Sequence, residues 1–224
     1  ENVSAAVSGG NDNASGRLSV SYQRYGGWYD GNGDEVIIDN TQTGLQYSDR
    51  IDVMGTGTIN IDDHQQLQLT TQYYKSESDG KHGLFLGENF AAVTGDAKAY
   101  NKDNLNSDRI PGTERHLINL QYSNTDFWGQ DLVAQIYYRD ESLTYYPFPT
   151  LSKGAVTSIG ASQQKTDFYG GKLTLNSKPI DDLTLTWGVD ADHETFDANQ
   201  QFFDLSKAAA SGGMELDKAY TVGR

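Results

Sequence analysis

Across residues 49–61 the chain alternates in character. Ile51, Val53, Gly55, Gly57, Ile59 and Ile61 hold one parity, and Arg50, Asp52, Met54, Thr56, Thr58 and Asn60 the other. A period of two places successive side chains on opposite faces of a strand. The pattern resumes at once, with Leu67, Leu69, Thr71 and Tyr73 set against Gln66, Gln68, Thr70 and Gln72. Asp62, Asp63 and His64 form a polar turn between the two runs. Six further segments alternate likewise. They are marked by Val3, Ala5 and Val7; by Leu18, Val20 and Tyr22; and by Ile118, Leu120 and Tyr122. The rest are marked by Leu132, Ala134, Ile136 and Tyr138; by Tyr169, Leu173 and Leu175; and by Leu183, Leu185, Trp187, Val189 and Ala191. Eight strands are predicted, and helical spacing competes only weakly, over residues 205–210.

The connections alternate too. Turns of roughly 4–7 residues follow strands one, three, five and seven, and links of roughly 20–40 residues follow strands two, four and six. One end of the sheet therefore carries all the long loops, as in an outer-membrane barrel with tight periplasmic turns and long extracellular loops. A soluble sandwich also alternates, but its strands average about 5–6 residues, and these read as about 9–12. The polar parity is rich in Gln, Thr, Ser and Asn, which suits a wet interior. Aromatic pairs gather near strand ends: Tyr22 and Tyr25, Tyr73 and Tyr74, Phe127 and Trp128, Tyr145 and Tyr146, Phe168 and Tyr169. Such residues form girdles at the two membrane interfaces.

Hydrocarbon penalises every unpaired backbone group, so eight strands must either close on themselves or belong to a larger barrel. A closed eight-stranded barrel is filled by its own side chains and passes no solute. The loop-like residues 208–213 and the want of a final strand ending in an aromatic favour the larger barrel. The expected fold is thus an all-β, antiparallel transmembrane barrel segment spanning residues 1–224. A complete small barrel with an adhesive or structural role is the alternative.

Composition narrows the chemistry. The 224 residues hold 17 Lys and Arg against 31 Asp and Glu, a net charge of -14, which repels phosphate backbones and argues against a nucleic-acid partner. There is no cysteine, so disulfides and thiolate sites are excluded. Residues 30–35 (DGNGDE) hint at a calcium loop but lack the Gly and the bidentate Glu that an EF-hand requires. Asp192 and His193 are neighbours on a strand and face opposite ways, so they make no acid–base pair. No catalytic residue, resident metal or cofactor is expected.

The runs GTGTINI (55–61), RLSVSY (17–22) and DDLTLTWGVDADHET (181–195) resemble barrel strands of TonB-dependent siderophore receptors. The resemblance extends along essentially the whole chain, loops included. It implies a 22-stranded outer-membrane barrel that encloses an N-terminal plug and imports an iron–siderophore complex with energy passed on by TonB. It also implies that the plug and later strands lie outside this sequence, and that outer-membrane lipid and lipopolysaccharide surround the wall. The cargo implied is a citrate–hydroxamate complex, whose iron arrives already chelated and asks no ligand of the protein.

An anionic chelate calls for arginine forks and aromatic surfaces at the mouth. Arg50 opens the third strand, Arg115 the fifth, and Arg139 closes the sixth, all at the long-loop end and all on the polar parity. Tyr137 shares that face. Tyr145, Tyr146 and Phe148 follow in the loop after strand six, and Trp28 and Tyr29 in the loop after strand two. The competing role for the arginines is pairing with interior carboxylates such as Asp52, Glu141 or Asp190.

Overall fold

A computed structural model describes residues 1–39, 46–180, 182–216 and 218–223, the last stretch for its backbone only. The strands in chain order are β1 (Asn2–Gly10), β2 (Ala14–Tyr25), β3 (Ser48–Asn60) and β4 (Gln65–Ser78), then the short β5 (Gly83–Phe85), β6 (Tyr100–Lys102) and β7 (Asn106–Ser107). There follow β8 (Gly112–Asn124), β9 (Asp131–Thr144), β10 (Phe148–Ser152), β11 (Ala155–Ile180), β12 (Leu183–Phe203), β13 (Glu215–Leu216) and β14 (Lys218–Gly223). Among the described residues two short α-helices lie in the loops, α1 (Ala91–Thr94) and α2 (Leu205–Ala210), with a 3-10 turn at Glu88–Phe90 leading into the first.

One antiparallel sheet runs in the order β1-β2-β3-β4-β8-β9-β11-β12-β14, with β10 beside β11. Among the described residues β1 pairs only with β2 and β14 only with β12, so the sheet is open at both edges. It is a stretch of wall, which sets aside the closed eight-stranded alternative.

Register confirms the two faces. Leu18, Gly55, Thr71, Ile118, Tyr138, Tyr169 and His193 fall in one cross-strand row. Further along the same face Ile136, Trp187 and Val189 are more than half exposed, and no second layer covers them among the described residues. An apolar face left bare over this many strands needs hydrocarbon as its solvent. The opposite face presents Arg50, Asp52, Gln68, Gln72, Asn119, Gln121 and Gln135.

The short turns share one end. Asn11 Oδ1 accepts the backbone N–H groups of Asn13 and Ala14 at 3.0 and 2.9 Å, and Asp62 Oδ1 accepts those of His64 and Gln65 at 2.9 and 2.8 Å. These side chains satisfy the turn amides locally and fix the hairpins. The long connections share the other end.

Three expectations are corrected. The link after the sixth strand is short, because β11 begins at Ala155 and runs 26 residues; the segment expected to be loop is strand. Beyond the membrane both faces meet protein or water, so residues 155–166 carry no alternation to betray them. The aromatic pairs do not form one belt: Tyr22, Tyr73 and Tyr169 point outward, while their partners Tyr25, Tyr74 and Phe168 point inward, as neighbours on a strand must. The stretch 208–213 is not plain loop. Its first residues end α2, which Asp204 caps by accepting the Lys207 N–H at 3.0 Å, and strands follow.

Among the described residues a buried apolar cluster lies in the rim, not in the wall. Leu86 and Phe90 from the 79–111 loop pack with Ile159 and Ala161 of β11, Phe203 of β12, Ala208 of α2 and Leu216 of β13. A membrane strand needs about 9–11 residues, so much of the β11–β12 hairpin overshoots the bilayer and gives the loops something to pack on.

Candidate ligand-binding site

The interior face near the loop end is built from adjacent strands. Asp52 (β3), Tyr74 (β4), Arg115 (β8), Glu141 (β9) and Thr166 (β11) sit in one row, because the register of each pair places them opposite one another. Arg50 lies one inward-facing position nearer the rim, opposite Ser76. Its guanidinium carbon stands 5.4 Å from the centroid of the Tyr74 ring, and that of Arg115 stands 5.8 Å from it. Arg115 Nε also donates to Glu141 Oε2 at 2.5 Å.

A cavity of about 240 Å³ opens here, lined among others by Ser48, Arg50, Tyr74, Ser78, Thr113 and Tyr146. Tyr146 is buried although it belongs to the loop after β9. Burial pushes its phenol pKa up, and a hydrogen bond with Ser78 opposes part of that rise. The cavity thus has an aromatic wall, an aromatic lid and a cation.

A second cluster stands beside it. Arg139 lies 5.3 Å from the Phe168 ring, and Tyr137 stacks on the same ring with centroids 5.5 Å apart and planes at 16°. The Tyr137 hydroxyl donates to Asp190 Oδ1 at 3.1 Å. Arg50 Nε and Arg139 Nε are both buried without a hydrogen-bond partner among the described residues. Such donors are costly to leave unmade.

The structure therefore divides the sequence-predicted residues. Arg50 and Tyr146 share the cavity, and Arg115 reaches it through Tyr74. Arg139 and Tyr137 form the neighbouring cluster. Tyr145 turns aside, its hydroxyl donating to Gln164 Oε1 at 3.3 Å. Phe148 opens β10, half exposed, while Trp28 and Tyr29 stand exposed in the loop after β2; none of the three lines the cavity. The carboxylate-pairing role holds for Arg115 with Glu141 only. Asp52 instead takes the Gln72 amide at 3.1 Å on each oxygen. Tyr74 and Phe168, read from sequence as girdle residues, belong to the inner face, as their strand parity requires.

Above the cavity the loops are clasped together. The Tyr47 ring stacks on His82 with centroids 3.7 Å apart and planes at 7°. The His82 ring nitrogens meet Asp79 Oδ2 at 2.5 Å and Asp103 Oδ1 at 3.0 Å. The Tyr47 hydroxyl donates to Glu35, and burial together with that carboxylate raises the phenol pKa well above its usual value. In the 30–35 turn Asp30 Oδ1 accepts the N–H groups of Asn32 and Asp34 at 2.8 and 3.0 Å, which closes the loop on itself and lowers the Asp30 pKa. No cluster of three or more metal-ligating side chains occurs among the described residues.

An open antiparallel sheet with a bare apolar face, a polar arginine-bearing face and all its long loops at one end is a segment of β-barrel wall. Its relatives are siderophore receptors. The chain is 63% identical over its full length to a ferric aerobactin receptor of Klebsiella pneumoniae and 62% identical to one of Escherichia coli. It is 36% identical to a rhizobactin receptor of Rhizobium meliloti. It spans about a third of their length, 31%, 31% and 30% respectively. No family model matches it. Among solved structures, the copper transporter OprC shares the fold, with a TM-score of 0.60 at 15% identity over 98% of this chain and 32% of that one. The resemblance to siderophore receptors read from the strands is borne out by these relatives, each of which is named a receptor.

Proposed function

We propose that this chain is part of the barrel wall of an outer-membrane receptor that takes up a ferric siderophore of the aerobactin type by TonB-dependent transport. The observation that carries this reading is the identity of 62–63% with two ferric aerobactin receptors along the whole chain, rim loops included. The inner face supports it, since arginines and aromatics near the mouth suit an anionic chelate. The siderophore's own oxygens hold the iron, so the wall supplies charge and shape and no metal ligand. TonB engages the plug of the full-length protein, and outer-membrane lipid and lipopolysaccharide contact the apolar face and the rim.

The test is growth on ferric aerobactin under iron limitation in a strain lacking its own receptor, complemented with a full-length receptor carrying this segment. Replacing Arg50, Arg115 and Arg139 together by Gln should lower affinity roughly tenfold or more, since hydrogen bonds to charged groups contribute about 1.5–3 kcal/mol each. Unchanged affinity at normal surface expression rejects the assignment of these arginines. Failure of the unmutated receptor to support growth rejects the uptake function.

A further inference from the structure

The Tyr74 ring stands between the strands that bear Arg50 and Arg115 and lies within cation–π distance of both. Two guanidinium groups brought this close repel each other, and the negative face of the ring offsets the repulsion. The two cations nevertheless differ. The charge of Arg115 is answered by Glu141 at 2.5 Å. Arg50 makes no ion pair among the described residues. Among the described residues one terminal nitrogen meets Gln23 Oε1 at 3.4 Å, and the buried Nε has no hydrogen-bond partner. The carboxylates around it are engaged elsewhere: Asp52 takes Gln72, and Glu77 takes Lys75 at 3.0 Å. A guanidinium with no ion-pair partner among the described residues stands on the wall of a cavity of about 240 Å³ that Glu77 also lines, and its fork suits an oxyanion.

We propose that Arg50 is the anion-recognising group of this cavity and that Tyr74 is its positioning residue, so that the subsite selects iron chelates carrying a free carboxylate. This deepens the siderophore-receptor reading and rests on it. The ring holds the fork in place before the ligand arrives, and the ligand's carboxylate meets the terminal guanidinium nitrogens. Without the ring, Arg50 is free to turn toward water, and part of the binding energy goes into recalling it.

The experiment uses a full-length receptor purified in detergent and titrated with ferric aerobactin at several salt concentrations. Tyr74→Phe keeps the ring, and Tyr74→Leu removes the quadrupole while keeping bulk. Tyr74→Phe should bind as wild type. Tyr74→Leu and Arg50→Gln should each bind roughly tenfold more weakly, with a shallower dependence on salt than wild type. Wild-type affinity and salt dependence in Tyr74→Leu overturn the proposal, and so does a Tyr74→Phe as weak as Tyr74→Leu. A wild-type receptor that does not bind ferric aerobactin overturns the receptor reading together with it. Wild-type affinity in Arg50→Gln, in a receptor that otherwise binds, overturns the anion-recognising role and with it the proposal, and leaves the receptor reading standing.

Discussion

Arg50 and Arg115 share the inward face and keep different company. Their orientation was legible, because parity on an alternating strand leaves no choice. Their partners were not, since Glu141 lies 26 residues from Arg115 in sequence and the two meet only through the β8–β9 register. The aromatic rows were half legible: a tyrosine beside a tyrosine on a strand must face the other way, and that rule assigns Tyr74 and Phe168 to the interior. The loop residues Tyr47, Asp79 and His82 carry no period at all, so their clasp emerges only in three dimensions. Asp79 has a pH signature there. Burial raises its pKa, but the amides of Lys81 and His82 and the His82 ring outweigh burial and hold it below the usual carboxylate range. A depressed folded value stabilises the clasp above the ordinary carboxylate pKa of about 3.9, and that support is lost as pH falls through the folded value. Amide exchange at Lys81 and His82, corrected for its intrinsic rate, should therefore quicken below about pH 4. Asp79→Asn should abolish the change, and exchange indifferent to pH in the unmutated protein contradicts the clasp.

The strands test the face assignment directly. Ile136 on β9 lies on the bare face in a row with Leu69, Leu120 and Gly171, while its neighbour Gln135 turns inward and donates to Gln121 at 2.6 Å. Ile136→Arg should destabilise the folded barrel in a bilayer by about 2–4 kcal/mol, the cost of a charge on the lipid face near the midplane. Gln135→Arg should cost far less. Urea unfolding of the full-length receptor in lipid vesicles measures both, and equal costs would mean that the faces are misassigned. Eight strands were readable because lipid on one side and water on the other impose a strict alternation. The upper halves of β11 and β12 escaped for the opposite reason: above the membrane Ser158, Ser162, Gln163 and Gln164 face similar surroundings on either side, and no pattern marks the strand.

The whole sheet exposes two unpaired edges and a wide apolar face. Taken alone in detergent-free buffer, the 224-residue chain should aggregate and show no cooperative melt, because the edges have no partner and the face has no lipid. Size-exclusion chromatography with circular dichroism decides it, and a monodisperse, cooperatively melting monomer would refute the wall architecture.

The cohesion of the rim bears on how cargo is met. Leu86, Phe90, Phe203, Ala208 and Leu216 hold the loops around the tall hairpin through contacts made within the chain itself. Loops that carry a buried core of their own need no bound molecule to draw them together. Little conformational freedom is then left for the rim to give up on binding, whatever binds there.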